Sequence, residues 1–116
     1  MAVISAFRGL ILAMILALAA STVGLAQKKA SKAPDPARGK EVFQRCAVCH
    51  SATTDEKKVG PSLRGLYAKV KLANGKKPTD QAVRARINDG GDGMPAFKDV
   101  LSEDEKADLL AYLKTL

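Results

Sequence analysis

The chain has 116 residues, of which 47% are hydrophobic and 27% are charged, and its formal net charge is +7. This length leaves room for one domain and excludes a multidomain enzyme. From residue 27 onward only 17 residues are Leu, Ile, Val or Phe, and without Arg8 there are 18 basic and 12 acidic residues, a net charge of +6. A large independent core is therefore excluded, and we expect something other than the chain's own side chains to supply part of the core.

The first 26 residues are predicted to direct export. A short start whose positive charges are the terminal amine and Arg8 precedes an uncharged, mostly apolar run over residues 9–26, which ends in small residues. This order is typical of a secretory signal peptide, with cleavage after Ala19 or Ala26. The alternative is an uncleaved membrane anchor, because a run of 18 residues is at the short edge of a spanning helix. Both alternatives place the remainder in the periplasm or another extracytoplasmic compartment.

Residues 27–34 are polar and basic, which predicts a flexible leader ahead of a domain over residues 35–116. The first helix is predicted at about 36–46, because Asp35 suits an N-cap and Pro36 suits the first helical turn. Its apolar positions recur at helical spacing. They are Gly39, Val42, Phe43 and Cys46.

The middle of the domain is less regular. The pair Gly60-Pro61 predicts a turn, followed by a short helix that carries Leu63, Leu66 and Tyr67. Within residues 68–77, charged and apolar side chains alternate ahead of an Asn-Gly pair. This pattern fits either a brief hairpin or a loop.

Two helices are predicted in the last third. The first opens at Thr79-Asp80 and is stopped by Gly90-Gly91, and residues 93–95 are predicted to be irregular. The second opens at Ser102, with Glu105 completing a capping box. Its apolar face consists of Leu109, Leu110, Leu113 and Leu116. The domain is thus predicted to be all-α, with three to four helices.

The chemistry is carried by Cys46-Ala-Val-Cys49-His50, the attachment pattern of c-type haem. Two thiols three positions apart can add to the two vinyl groups of one porphyrin. The adjacent imidazole can then reach the iron from the same side. Cys46 and Cys49 are therefore predicted to form the thioethers of one covalent haem c, with His50 as proximal iron ligand.

Other sites that use the same residue types fit less well. A thioredoxin-like dithiol would sit in a βαβ pattern, which is missing around Cys46 and Cys49. A structural zinc site needs about four ligands, and the chain has two Cys and one His. A disulfide closing so short a loop would add little stability.

The distal iron ligand is predicted to be Met94. No second His exists, and the other two methionines lie in the export segment. Met94 lies between Gly93 and Pro95, which argues against an ordinary core filler on a helix face. Asn74, Asn88 or a lysine amine would be weaker ligands. A thioether favours reduced iron, so His/Met ligation suits an electron carrier.

With these motifs, the sequence resembles the class I c-type cytochromes over about residues 35–116. The resemblance rests on four segments in order: Cys46–His50, Gly60–Leu63, Gly93–Phe97 and Leu109–Leu113. It implies the cytochrome c fold, with helices wrapped around one covalent haem c and the first and last helices crossing.

The resemblance also implies individual roles. The Pro61 carbonyl would accept the Nδ1 proton of His50 and fix its tautomer, and Gly39 and Phe43 would meet Tyr112 where the terminal helices cross. Many members have a Trp at a haem propionate, and this chain has none. The residues left as candidates for that role are Tyr67, Arg64, Arg84 and Arg86.

The expected function is one-electron, outer-sphere transfer between extracytoplasmic redox partners, without catalysis. The chain would act either as a free, monomeric shuttle or as the haem subunit of a larger complex. The alternatives are a haem enzyme or gas sensor with a labile Met94, and a dithiol oxidoreductase. Partners are expected to be proteins with acidic docking surfaces, since basic residues cluster in two segments. Nucleic acid is not expected as a partner, and a membrane is expected only if the N-terminal segment stays attached. The two basic clusters are Lys57-Lys58 and Lys69-Lys71-Lys76-Lys77.

Overall fold

The structure is a computed structural model that describes residues 31–116. The predicted signal peptide or anchor, and the leader as far as residue 30, lie outside the described residues. Within residues 31–116 the chain forms three α-helices and one short 3₁₀ helix, with no β-strand. The elements are α1 (Pro36–Phe43), the 3₁₀ helix (Leu66–Ala68), α2 (Asp80–Asp89) and α3 (Glu103–Leu113). The all-α prediction is confirmed. None of these helices combines the length and the apolar character that a membrane span requires.

Helix α1 begins as predicted and ends earlier than predicted. The Asp35 carboxylate accepts from the Ala37 amide at 2.8 Å, and Pro36 occupies the first helical position. The predicted end at residue 46 is wrong, because α-helical geometry stops at Phe43. The backbone then tightens, and the Cys46 amide donates to the Phe43 carbonyl at 2.8 Å, three residues back. This change brings the two cysteines into a run of turns instead of a regular helix.

Helix α2 begins within the predicted Pro78-Thr79-Asp80 segment, and the capping box predicted for α3 is present. The Thr79 hydroxyl accepts from the Ala82 amide, and Gly90 ends α2. At α3 the Ser102 hydroxyl and the Glu105 carboxylate each accept from the other's backbone amide, which forms a complete capping box.

Helices α1 and α3 cross at close range. A Cβ atom on Gly39 would overlap the backbone carbonyl of Asp108 and lie 2.8 Å from the Cβ of Tyr112. One turn along α1, the Phe43 ring lies 5.3 Å from the Tyr112 ring, centroid to centroid, at a tilt of 56°. Glycine at residue 39 therefore permits the contact of the two helices that the sequence predicted.

An ion pair between Arg38 and Asp108 also joins helices α1 and α3. Arg38 binds the Asp108 carboxylate through Nε at 2.7 Å and Nη2 at 2.8 Å. The Asp35 amide also donates to that carboxylate, at 2.7 Å. The neighbouring guanidinium holds the pKa of Asp108 below its usual range. In the described end of the leader, the Ala33 carbonyl accepts from Arg38 at 2.8 Å.

Residues 68–77 form a loop, not the hairpin that was the other possibility. The Leu72 amide donates to the Lys76 carbonyl at 2.8 Å, and this bond closes a turn.

The buried hydrophobic side chains are few and come from all four helical elements and the segment before α3. They are Phe43, Leu66, Val83, Ile87, Leu101, Leu109, Leu110 and Leu113.

Candidate functional site

A mostly apolar cavity of about 280 Å³ lies between the helices. Its apolar walls come from all three α-helices and the 3₁₀ helix. The main apolar residues are Phe43, Leu66, Val83, Ile87, Leu109 and Leu113. Four of the five predicted site residues also line the cavity. These are Cys46, His50, Pro61 and Met94. Residues far apart in the sequence thus share one pocket.

His50 is held in a defined orientation by the segment that follows the Cys46–Cys49 turn. Its Nδ1 lies 2.7 Å from the carbonyl oxygen of Pro61. A carbonyl oxygen only accepts, so Nδ1 is the nitrogen that carries a proton, and in the neutral ring Nε2 is the nitrogen with the free lone pair. This is the state in which an imidazole binds a metal ion.

Gly60 packs directly against the His50 ring. A Cβ at Gly60 would lie 2.5 Å from Cε1 and 2.8 Å from Nδ1 of the imidazole. The Gly60 amide also donates to the Cys49 carbonyl at 2.8 Å, which ties this segment to the cysteine turn. From its neighbours in the sequence, Gly60 is predicted only to form a turn with Pro61. Its contact with His50 is between residues ten positions apart, and local patterns do not show it.

The two cysteines differ in their surroundings. Both thiols are free and half-buried, and the Cys46 side chain lines the cavity. Burial raises the pKa of the Cys46 thiol. Cys49 is not among the residues that line the cavity. Two residues separate them on a backbone turn in which the Cys49 amide donates to the Cys46 carbonyl at 3.0 Å.

Met94 is presented to the cavity by a tight turn after α2. The Met94 and Gly91 backbones exchange two hydrogen bonds, of 2.9 and 3.0 Å. All four residues from Gly90 to Gly93 have positive φ, including Asp92 at +51°. A Cβ at Gly90 would overlap the Met94 carbonyl oxygen, so the chain can fold back here only with glycine at that position.

The cavity wall also carries cationic groups. Lys69, Lys71 and Arg86 line it, together with Asn74. Of the four candidate propionate partners, Arg86 alone lines the cavity. Arg64 and Arg84 instead form exposed ion pairs with Asp55 and Glu103. The buried hydroxyl oxygen of Tyr67 has no hydrogen-bond partner among the described residues, and burial raises the pKa of Tyr67.

These groups fit the predicted haem c. An imidazole with its Nδ1 proton engaged, a thioether and a thiol line one cavity, with the second thiol one turn away. The walls suit an apolar macrocycle, and the cations suit its carboxylates. Within residues 31–116, His, Cys, Asp and Glu side chains form no cluster of three that could bind a metal by themselves. A structural zinc site therefore has no counterpart in the described part of the chain.

Comparisons with known proteins indicate the same family as the resemblance noted in the sequence. Residues 34–113 match the family model described as cytochrome c oxidase, cbb3-type, subunit III. The chain is 35% identical to cytochrome c2 of Blastochloris viridis, with 78% of this chain and 88% of that protein covered. It is 38% identical to the cytochrome c subunit of the bc1 complex of Corynebacterium diphtheriae, over 70% of this chain and 27% of that one. The structure of cytochrome c6 from the diatom Phaeodactylum tricornutum superposes with a TM-score of 0.55 at 28% identity, covering 70% of this chain and 92% of that one.

Proposed function

This chain belongs to the class I c-type cytochromes, and we propose that it carries single electrons through one haem c ligated by His50 and Met94. The thioethers would form at Cys46 and Cys49. The observation that carries the proposal is the 2.7 Å contact between His50 Nδ1 and the Pro61 carbonyl in the cavity that Met94 also lines.

The protein's part is to hold and shield the bound group. When bound, haem c supplies an iron that alternates between two oxidation states differing by one electron. The bond to Pro61 fixes the imidazole ring, and the turn around Gly91 fixes the Met94 thioether. If His50 and Met94 both bound the iron, no coordination position would be left for a substrate, and electron transfer would be outer-sphere. Two strong ligands also predict low-spin iron in both states.

The apolar walls contribute to the reduction potential. Phe43, Leu109 and Leu113 line the cavity and would place apolar side chains against the macrocycle. Low polarity disfavours the more highly charged ferric state, and a thioether ligand acts in the same direction. Both effects favour a raised potential, which suits an electron carrier.

A surface beside the cavity is suited to an acidic redox partner. Val48 and Val59 are 76% and 83% exposed. The Lys58 ammonium donates to the Ala47 carbonyl at 3.0 Å, so Val59 lies near the cysteine turn that contains Val48. Two exposed apolar side chains beside Lys57 and Lys58 form a docking patch with a small apolar centre. Weak, salt-sensitive association at such a patch suits rapid exchange of partners.

The place of action is proposed from the N-terminal sequence and the relatives. We propose that residues 1–26 export the chain, that residues 27–34 form a leader, and that the domain works outside the cytoplasm as a monomer. A free shuttle and a haem subunit both remain compatible with relatives that include a cytochrome c2 and a bc1 subunit. Recovery from native soluble or membrane fractions separates the two.

The proposal is tested by producing the full chain together with a haem-attachment system. Intact mass of the exported product reports the cleavage site and one covalent haem. Reduced-minus-oxidised spectra report low-spin iron in both states. A product without haem, or one that is five-coordinate, would contradict the proposal.

A further inference from the structure

Arg86 is the residue of α2 that connects the cavity with the turn carrying Met94. It lines the cavity, whereas Arg84, two positions earlier, forms an ion pair with Glu103 at 2.7 Å elsewhere on the surface. Residues two positions apart on a helix do not share a face. The two arginines therefore have different surroundings on the same helix.

The Arg86 guanidinium binds the Met94 turn at its base. Its Nη2 donates to the Gly91 carbonyl at 2.9 Å and to the Asp92 carboxylate at 3.0 Å. The same Gly91 carbonyl accepts from the Met94 amide at 3.0 Å. One carbonyl oxygen thus joins Arg86 to the backbone of Met94.

Little else in the described residues holds this turn. Gly91, Asp92 and Gly93 are exposed, and all three have positive φ. Gly90 packs against the Met94 carbonyl, and the Phe97 amide donates to the Ile87 carbonyl just after the turn. Within residues 91–94, the hydrogen bonds besides the two between Gly91 and Met94 are those made by Arg86. The Asp92 carboxylate is 82% exposed, so its ion pair is weak. The bond to the Gly91 carbonyl is therefore the main contribution of Arg86.

We propose that Arg86 is a positioning residue for the Met94 thioether, and that its charge at the cavity wall favours the reduced state of the bound group. This inference rests on the proposed function, in which Met94 is the distal ligand. Removing Arg86 loosens the turn, so the thioether leaves the iron more often. It also removes a positive charge that opposes oxidation.

The test compares three variants of the haem-loaded protein. Arg86→Met keeps the apolar stem of the side chain and loses its charge and hydrogen-bond donors. Arg86→Lys keeps a positive charge and donors, both on a single nitrogen. Arg84→Met is the matched control on the same helix. In Arg86→Met, carbon monoxide binds the ferrous protein about tenfold faster, the change that about 1.4 kcal/mol produces. The potential falls, and the Met94 amide exchanges its hydrogen faster. Arg86→Lys restores all three properties towards wild type, and Arg84→Met leaves them unchanged.

Several outcomes overturn the inference. One is an Arg86→Met protein with wild-type carbon monoxide binding, potential and exchange. Others are an Arg86→Lys protein as impaired as Arg86→Met, or equal effects from Arg84→Met. If Arg86→Met does not fold, Arg86→Gln replaces it with the same expectation.

A fourth variant, Met94→Ala, separates this inference from the proposed function. If carbon monoxide binds Met94→Ala no faster than wild type, the proposed function itself fails. If Met94→Ala binds faster and Arg86→Met does not, only the role of Arg86 is refuted.

Discussion

The backbone of Gly39 in α1 lies directly against the carbonyl group of Asp108 in α3, with no room for a Cβ between them. This contact sets how closely the first and last helices approach. It also brings Phe43, in the next turn of α1, onto Tyr112 and beside the cavity. The geometry of the cavity wall therefore depends on the closeness of the crossing.

Gly39→Ala is expected to destabilise the haem-loaded protein by about 1–3 kcal/mol, the usual cost of overpacking. The new methyl group meets backbone, which cannot rotate away. The overpacking cost is therefore expected at or above the top of its usual range, and the net loss stays within about 1–3 kcal/mol after a gain of about 1 kcal/mol in helix propensity. Thermal unfolding followed by circular dichroism measures the change. Lys40→Ala, an exposed position on the same helix, is the control and is expected to change little. A Gly39→Ala protein that melts at or above wild type would show that the crossing tolerates a side chain.

Asp108→Asn is expected to lower the melting temperature by roughly 10 °C at neutral pH, since a hydrogen-bonded carboxylate is lost from a buried position. The Asp108 side chain is 7% exposed and Arg38 lowers its pKa. A carboxyl group whose pKa is lower in the folded state stabilises the fold above its unfolded pKa of about 4. That stabilisation is lost as the pH falls through the folded pKa. The difference between wild type and variant is therefore expected to shrink below about pH 4. A difference that stays constant to pH 2 would rule out this linkage.

Gly60→Ala is expected to disturb the iron site through its new methyl group alone. Gly60 does not have a positive φ, so alanine adds no backbone strain there. That methyl would meet the His50 ring, so the bond from Nδ1 to Pro61 lengthens or breaks. Since this bond increases the basicity of the imidazole, the reduction potential is expected to rise. Potentiometric titration measures the potential, with Val59→Ala, the exposed neighbour, as the control. An unchanged potential in Gly60→Ala would mean that the ring does not depend on this contact.

The double variant Cys46→Ala with Cys49→Ala is expected to lack covalent haem and to be largely unfolded. An unfilled cavity of about 280 Å³ costs about 7 kcal/mol at roughly 24 cal/mol per Å³. That is comparable with the whole stability of a small domain, about 5–15 kcal/mol. Far-UV circular dichroism during heating measures the remaining structure. A cooperative thermal transition in this haem-free protein would show that the core is sufficient by itself.

Lys57→Gln with Lys58→Gln is expected to slow oxidation by an anionic oxidant such as ferricyanide at low ionic strength. The two lysines lie beside the exposed Val59 and the cysteine turn, and opposite charges steer encounter. The difference is expected to disappear at about 1 M salt, where the Debye length is about 3 Å. Stopped-flow absorbance gives the rates, and Lys40→Gln, which removes one charge from α1, is compared with Lys57→Gln alone. Equal slowing by these two single variants would mean that net charge, not the docking patch, governs the encounter.

The sequence was sufficient for features that depend on neighbouring residues. The N-caps at Asp35 and Ser102 were predicted because an N-cap contacts amides two or three positions away. The end of α1 was predicted wrongly, since the apolar spacing continues to Cys46 while the backbone tightens after Phe43. Periodicity shows which residues share a face and does not show where the backbone changes from α-helical to tighter turns.

The features that were missed join distant segments. The sequence does not distinguish three arginines, Arg64, Arg84 and Arg86. They differ in the segment that each side chain contacts in the folded protein. The contact of Gly60 with the His50 ring is likewise a property of the folded loop. A motif specifies the chemistry of a site, and the fold determines which other residues support it.

The most direct measurement for the central claim is the electronic spectrum of ferric wild type beside that of Met94→Ala. Ligation by His50 and Met94 predicts a low-spin wild type with a sulfur-to-iron charge-transfer band. In Met94→Ala that band is expected to be lost, and the iron is expected to bind added ligands. A high-spin wild type, or a band that persists without Met94, would contradict it.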